Sequence, residues 1–342
     1  MPELDEFSFI ARFFQPLTGN DPGAFGLADD AAMIGVQPGE RLVVTVDTIV
    51  EGVHFLSSDP PDSIGAKALG VNLSDLASMG SRPRAYVMSV CLPRDWDQKR
   101  LLPWMDGFCR GLGSMQTQQG MHLIGGDTVS APGPMAITIT AFGVLEGAIA
   151  LRRAGAHPGD IVFVSGTIGD AALGLEILKG HILDLDPAYA TMLTERYRRP
   201  LPRVALGQHL LGLASAAADI SDGLVADLAH ICQASNTCAT IAVERVPFSA
   251  AARACLAQAP HLLPLLVSGG DDYELVFAAS PDREDDINQL ARELGVPLTA
   301  IGTIEPEPPD ALNDRSAGTM RVRVIDRNGV VLKPEYSGYR HI

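Results

Sequence analysis

The spacing of apolar and polar positions marks out elements in both halves of the chain. Arg41 to Thr48, RLVVTVDT, is rich in valine and reads as a buried strand ending in an acid. Tyr86 to Leu92 is a second strand, and Met135 to Leu145 alternates Ile and Thr in the two-residue period of a third. Met121 to Ile124 predicts a short strand running into Gly125-Gly126-Asp127. Helices are predicted over Ser63 to Met79 and, despite its glycines, Leu101 to Gln119. In the first, Ile64, Ala68, Val71 and Asp75 share a face while Leu69, Leu73 and Leu76 cover another, so the helix is buried on both sides.

A turn-rich link, Ala154 to Asp160, separates the halves, and Ile161 to Val164 opens a new strand. Helices follow over Gly169 to Leu178, Leu201 to Leu213 and Gly223 to Ala234. Late strands run over Tyr273 to Ala278, Leu298 to Ile304 and Met320 to Ile325. Strands alternating with helices on both sides of the link predict an α/β (α+β) chain of two domains, 1–150 and 151–342. A length of 342 residues agrees with two domains of ordinary size.

Charge narrows the chemistry. The net charge is −15 and only four lysines are present, Lys67, Lys99, Lys179 and Lys333, which argues against a nucleic-acid partner. An acidic protein that handles phosphate must neutralise it by other means, and bound divalent cations are the obvious route. The five cysteines form no C-x-x-C pair, as expected of a reduced, cytoplasmic compartment. The N-terminus lacks the apolar run of a signal peptide, and no stretch approaches the ~18 apolar residues of a membrane span.

The candidate chemistry is carried by aspartates at element ends. Asp29 and Asp30 are adjacent in a small-residue stretch. Asp47 sits where a strand leaves its sheet, the place where α/β sheets bind ligands. Asp75, on a helix buried on both faces, needs a partner, either a metal or a basic side chain. Asp127 follows two glycines, which let backbone approach a ligand closely. Asp219 and Asp222 in ADISDGLVADLAH stand at a strand end and a helix start, where Asp222 or Ser221 could equally be a cap. Gly269 to Glu274, GGDDYE, repeats the glycine-acid pattern. Oxygen-only ligands suit Mg²⁺ or Mn²⁺ and not zinc, and His and Cys never occur at zinc-ligand spacing. There is no G-x-x-x-x-G-K-[ST] loop, no H-R-D or D-F-G set and no G-x-S-x-G elbow.

The runs TVDTIVEGVHF, AKALGVNLSDLASMGSRP, IGGDTVS, LRRAGAHPGD, DISDGLVADLAHI and SGGDDYELVF resemble the bacterial thiamine-monophosphate kinase family, from about Phe7 to Tyr339. That family belongs with aminoimidazole ribonucleotide synthase and selenophosphate synthetase. The resemblance implies an N-terminal half that pairs strands across a homodimer and a C-terminal α+β half. It implies ATP-dependent phosphorylation of thiamine monophosphate to thiamine diphosphate by direct in-line transfer, with several Mg²⁺ ions. Carried over by motif, Asp30, Thr45, Val46, Asp47, Asp75, Asp127, Asp219 and Asp222 would be metal ligands. Gly126, Asp127, Arg153 and Ser221 would contact ATP, and His54, Asp271 and Tyr336 thiamine phosphate.

Three positions depart from the family pattern: Ala28 stands where it usually has Gly, Val46 where it often has Thr, and Tyr336 where it commonly has Trp. Val46 could ligate only through its carbonyl. Competing readings are the superfamily relatives and, from another class, a divalent-cation binder with no turnover. Selenophosphate synthetase places a Cys or selenocysteine near its N-terminus, whereas the first cysteine here is Cys91.

Overall fold

The computed structural model describes residues 5–147, 149–182, 184–307 and 321–332. The chain divides into two compact units, residues 1–76 with 81–149, and residues 77–80 with 150–342.

In the first unit, β1 (Glu40–Val50), β2 (Arg82–Pro93), β3 (His122–Ala131) and β4 (Ala136–Glu146) make one sheet in the order β1-β4-β2-β3. β4 runs antiparallel to β1 and β2, whereas β3 lies parallel to β2. The helices are α1 (Glu6–Phe13), α2 (Pro61–Ser78) and α3 (Gln98–Gln119). Along α2, Leu69, Leu73 and Leu76 on one side and Ile64, Ala68 and Val71 on the other are all buried. Gly111 of α3 and Gly65 of α2 have a packing reason. A Cβ on Gly111 would lie 1.8 Å from the Asp62 carbonyl oxygen, and one on Gly65 would lie 2.1 Å from that of Phe108. The helix backbones therefore touch, which offsets the roughly 1 kcal/mol that each helical glycine costs relative to alanine. Asp97 caps α3 by accepting from the Arg100 amide at 2.9 Å, and Gly120 ends it in the left-handed region.

The short strand expected over Met121 to Ile124 is in fact longer. β3 continues through Gly125-Gly126-Asp127 to Ala131, because β2 pairs with it residue by residue from Ala85↔His122 to Pro93↔Ala131, across one register shift at Tyr86/Val87.

The second unit has a sheet ordered β11-β10-β7-β9-β5-β8-β6. Its strands are β5 (Ile161–Ser165), β6 (Ala216–Asp219), β7 (Thr237–Ala242), β8 (Leu275–Ala279), β9 (Leu298–Pro306), β10 (Val322–Ile325) and β11 (Val331–Leu332). The helices are α4 (Asp170–Leu178), α5 (Pro187–Arg198), α6 (Val204–His209), α7 (Leu224–Ser235), α8 (Ala250–Gln258), α9 (Leu263–Ser268) and α10 (Glu284–Leu294). Val162 and Val164 of β5 join Leu224, Leu228 and Ile231 of α7 in one core. Leu173, Leu193 and Leu266, from α4, α5 and α9, form a second. Phe163 and Phe277, paired across β5 and β8, stack with ring centroids 5.3 Å apart. The helix expected over Leu201 to Leu213 is confined to Val204–His209, preceded by Pro202 and followed by Gly212 in the left-handed region. No helix among the described residues is long and apolar enough to cross a membrane.

Candidate functional site

Alternation along β1 decides which side chains can serve the first unit's acid set. Val43, Thr45, Asp47 and Ile49 share the half-buried face, while Leu42, Val44, Val46 and Thr48 point outward. The Thr45 hydroxyl donates to the Asp75 carboxylate, tying β1 to the last turns of α2. Asp47 lies two residues on, on the same face. The outward Val46 side chain has no donor to offer, so only its carbonyl is available as a ligand.

Asp30 follows a tight turn over Pro22–Leu27, whose chain is closed by the Met33 amide donating to the Gly23 carbonyl at 2.9 Å. Ala24 packs with Ala85 of β2 and Ile124 of β3, with Leu27 and Ile34 against them, so this loop docks on the strands that lead to Gly126. Asp29 and Asp30 are exposed. Ala28 adopts φ −107°, a conformation open to any residue, and its side chain is exposed, so the methyl is accommodated without backbone strain. Gly126 is closely hemmed in, since a Cβ there would lie 2.0 Å from the Met88 carbonyl oxygen. Asp127 is exposed and accepts from the Thr128 amide at 2.9 Å. His54 accepts at Nδ1 from the Val50 amide at 3.1 Å, which leaves Nε2 as the proton-bearing nitrogen of the neutral ring.

In the second unit two motif loops are bound together. The Asp271 amide donates to the Ser221 carbonyl at 2.9 Å, Tyr273 to Ile220 at 2.8 Å, and Ile220 back to Glu274 at 2.8 Å. Gly270 permits this approach, because a Cβ there would lie 2.2 Å from the Ser221 carbonyl oxygen. Asp219, Ser221, Asp222 and Asp271 are thereby gathered on adjacent loops. Asp271 and Tyr273 both sit at positive φ, 72° and 51°, and the Tyr273 hydroxyl donates to the Asp271 carboxylate at 3.0 Å.

The other two acids of GGDDYE serve as anchors. Asp272 is buried and accepts from the Gly169 amide at 2.7 Å, at the start of α4. Burial pushes its carboxyl up to about 8, against the pull of the Gly169 amide and the Arg196 charge. Glu274 is fully buried and accepts from Arg196 at 2.9 Å, Arg203 at 2.6 Å and the Ser165 hydroxyl at 2.6 Å.

Sequence reasoning missed Asp227 and His230. Asp227 is 1% exposed and accepts from the Asp222 and Gly223 amides at 3.0 and 3.1 Å. Burial, then the neighbouring Asp219 and Asp222, push its carboxyl well above the ordinary range. Burial and Arg153 pull His230 down. Both residues lie one helical turn apart on α7, a spacing visible in the sequence but hidden among the core leucines. Arg153 is exposed, with its charge acting on Asp227 and His230. Tyr336 lies outside the described residues.

Residues 28–145 match the family model "AIR synthase related protein, N-terminal domain", and residues 157–314 match its C-terminal counterpart. The thiamine-monophosphate kinase of Salmonella typhimurium is 36% identical over 98% of both chains. The solved thiamine-monophosphate kinase of Stenotrophomonas maltophilia K279a superposes with a TM-score of 0.80 at 40% identity, covering 89% of this chain and 95% of that one. AaThiL complexed with AMPPCP and TMP superposes at 0.75 with 29% identity, covering 100% and 98%.

Proposed function

The chain belongs to the thiamine-monophosphate kinase family, and from that premise we propose that it transfers the γ-phosphoryl group of ATP to thiamine monophosphate, giving thiamine diphosphate and ADP. The observation that carries this reading is the binding together of the Asp219–Gly223 and Gly269–Glu274 loops, which gathers carboxylates, a serine and closely approached backbone on one edge of the second unit.

Each unit's own donors fit Mg²⁺. Asp30, Asp47, Asp75 and Asp127 in the first unit, and Asp219 and Asp222 in the second, present oxygen only, with the Thr45 hydroxyl already held by Asp75. Bound Mg²⁺ would supply charge neutralisation between two phosphate-bearing reactants. The rest falls to the chain. Gly126 would present the β3 backbone to ATP, Arg153 offers an exposed cation, and Ser221 offers a hydroxyl beside Asp222. His54 and Asp271 address the acceptor, His54 through its Nε2 proton. The attacking atom is a phosphate oxygen that is already anionic, so positioning and electrostatics suffice and no general base is required.

Purified protein with ATP, Mg²⁺ and thiamine monophosphate should yield thiamine diphosphate and ADP in equal amounts. Well-folded protein that forms neither product would overturn the assignment. Asp75→Asn should lower turnover by about 10²-fold, the scale of losing one electrostatic stabiliser. Full activity in that variant would return Asp75 to a structural role beside Thr45.

A homodimer is part of the same proposal. β1 is an edge strand whose outward face carries Leu42, Val44 and Val46, the valines 56% and 59% exposed. An apolar edge of this kind invites pairing with a second copy. Light scattering at micromolar concentration should give the mass of two chains, and a monomer mass would reject the pairing.

A further inference from the structure

Asp222, Asp227 and His230 each place a ligand atom within 4.8 Å of the other two. That span suits one ion, with donor bonds of about 2.0–2.2 Å and small side-chain adjustments. The carboxylate of Asp227 is only half used. Its Oδ2 accepts from the two amides of the Asp222–Gly223 turn, while Oδ1 is buried and has no hydrogen-bond partner among the described residues. A buried carboxylate oxygen left without a donor is costly, and a cation is the partner that would satisfy it. Asp227 cannot swing out to water, because its residue is 1% exposed and fixed by the turn. His230, one turn further along α7, is exposed and adds a nitrogen to the two carboxylates. The charges nearby are Asp219, which adds negative potential, and Arg153, which opposes it.

We propose that Asp222, Asp227 and His230 form a mixed oxygen–nitrogen cation site that takes a borderline divalent ion, such as Co²⁺ or Ni²⁺, in preference to Mg²⁺. Magnesium holds to oxygen ligands, whereas imidazole suits the later first-row metals. The site shares Asp222 with the Mg²⁺ set of the proposed kinase, and to that extent rests on that reading. It differs in Asp227, which the turn fixes in place, and in the nitrogen donor.

The test uses the full chain and Co²⁺ alone, with no nucleotide. Visible absorption of bound Co²⁺ should report a site with a nitrogen ligand, and Mg²⁺ should displace the ion only at large excess. His230→Gln, at an exposed position, should fold normally and bind Co²⁺ at least ~10-fold more weakly with altered bands, the scale on which metal sites lose affinity when their support is removed. Asp227→Asn should weaken binding as well, and His230→Gln keeps the test decisive if that variant misfolds. Unchanged affinity and bands in His230→Gln overturn the site, as does Mg²⁺ competing as an equal. The kinase reading is judged separately by product formation. Failure of Co²⁺ binding leaves it standing, and failure of turnover with the Co²⁺ bands present removes it alone.

Discussion

Gly-Gly-Asp occurs at 125–127 and again at 269–271, and the two copies are built in opposite ways. The first lies inside β3, in register with Val87, Met88 and Ser89 of β2, and its aspartate is exposed. The second lies in a loop with its aspartate at φ 72°, hydrogen-bonded to the Ser221 carbonyl and backed by buried Asp272 and Glu274. Pairing along a strand holds the first copy with little help from side chains. The second lies outside any strand and is held by backbone hydrogen bonds to the Ile220–Ser221 segment and by acids taken out of water, Asp272 and Glu274. A tripeptide therefore does not choose its own conformation. Its neighbours do, and the energy of the second copy resides in residues that never reach a ligand.

The sharpest way to break this contrast is to remove the anchor. Glu274→Ala would leave Arg196, Arg203 and the Ser165 hydroxyl without their common acceptor in the interior. Breaking a buried ion pair from one side costs about 3–5 kcal/mol. Asp127→Ala, at an exposed strand position, should cost no more than ~0.5 kcal/mol. Urea unfolding of the two variants measures the difference, and equal losses would show that the anchors do not distinguish the loops.

The glycines give a finer comparison. Gly270→Ala puts a methyl 2.2 Å from a backbone oxygen, and Gly126→Ala puts one 2.0 Å from another, so in both the chain must shift. Gly125→Ala meets only the Val87 side chain at an ordinary 3.6 Å. Displacing a site by about 1 Å costs roughly 10²-fold in rate, so turnover should fall by about that much in the first two. The third should stay within a few-fold. A dead Gly125→Ala with normal Gly270→Ala would show that close backbone packing at these glycines does not set the geometry that turnover needs.

Much of this was legible in the sequence. The valines of β1, the Ile/Thr alternation of β4 and the double-faced burial of α2 follow from composition and period, and each formed within a few residues of its expected ends. Asp75, Asp219 and Asp222 stand at or near element ends as expected, whereas Asp47 and Asp127 lie inside strands, because β1 stays paired with β4 through Val50 and β3 with β2 through Ala131. Elements with weaker patterns were not legible. The strand end at Asp219 was expected from the motif alone, since β6 is Ala-Ala-Ala-Asp, without a β-branched residue, and its small side chains fit a fully buried place beside β8. The run of β3 past Asp127 depends on β2, which no local pattern reveals. Asp227 and His230 were hidden for a related reason. Their helix reads as a core helix, and what sets them apart is the turn folding back at Asp222, a tertiary event.

The smallest effect concerns Asp272, whose burial cost should appear as a pH dependence. Its carboxyl is held up to about 8, chiefly by burial, whereas an unfolded aspartate titrates near 3.9. Between those values the folded protein binds a proton that the unfolded chain does not. Stability therefore falls as pH rises through this window and levels off above about 8. Asp272→Asn keeps an oxygen for the Gly169 amide and does not titrate. Its stability relative to the parent should rise by up to about 2 kcal/mol between about pH 6 and pH 7.5, since each pKa unit is worth about 1.4 kcal/mol. Thermal melts of both proteins across that range measure the gain. A constant difference would mean that Asp272 stays ionised in the fold, with the Arg196 charge and the α4 amides outweighing burial. The second loop would then be anchored by two carboxylates of like state, Asp272 and Glu274, rather than by one neutral acid and one ion pair.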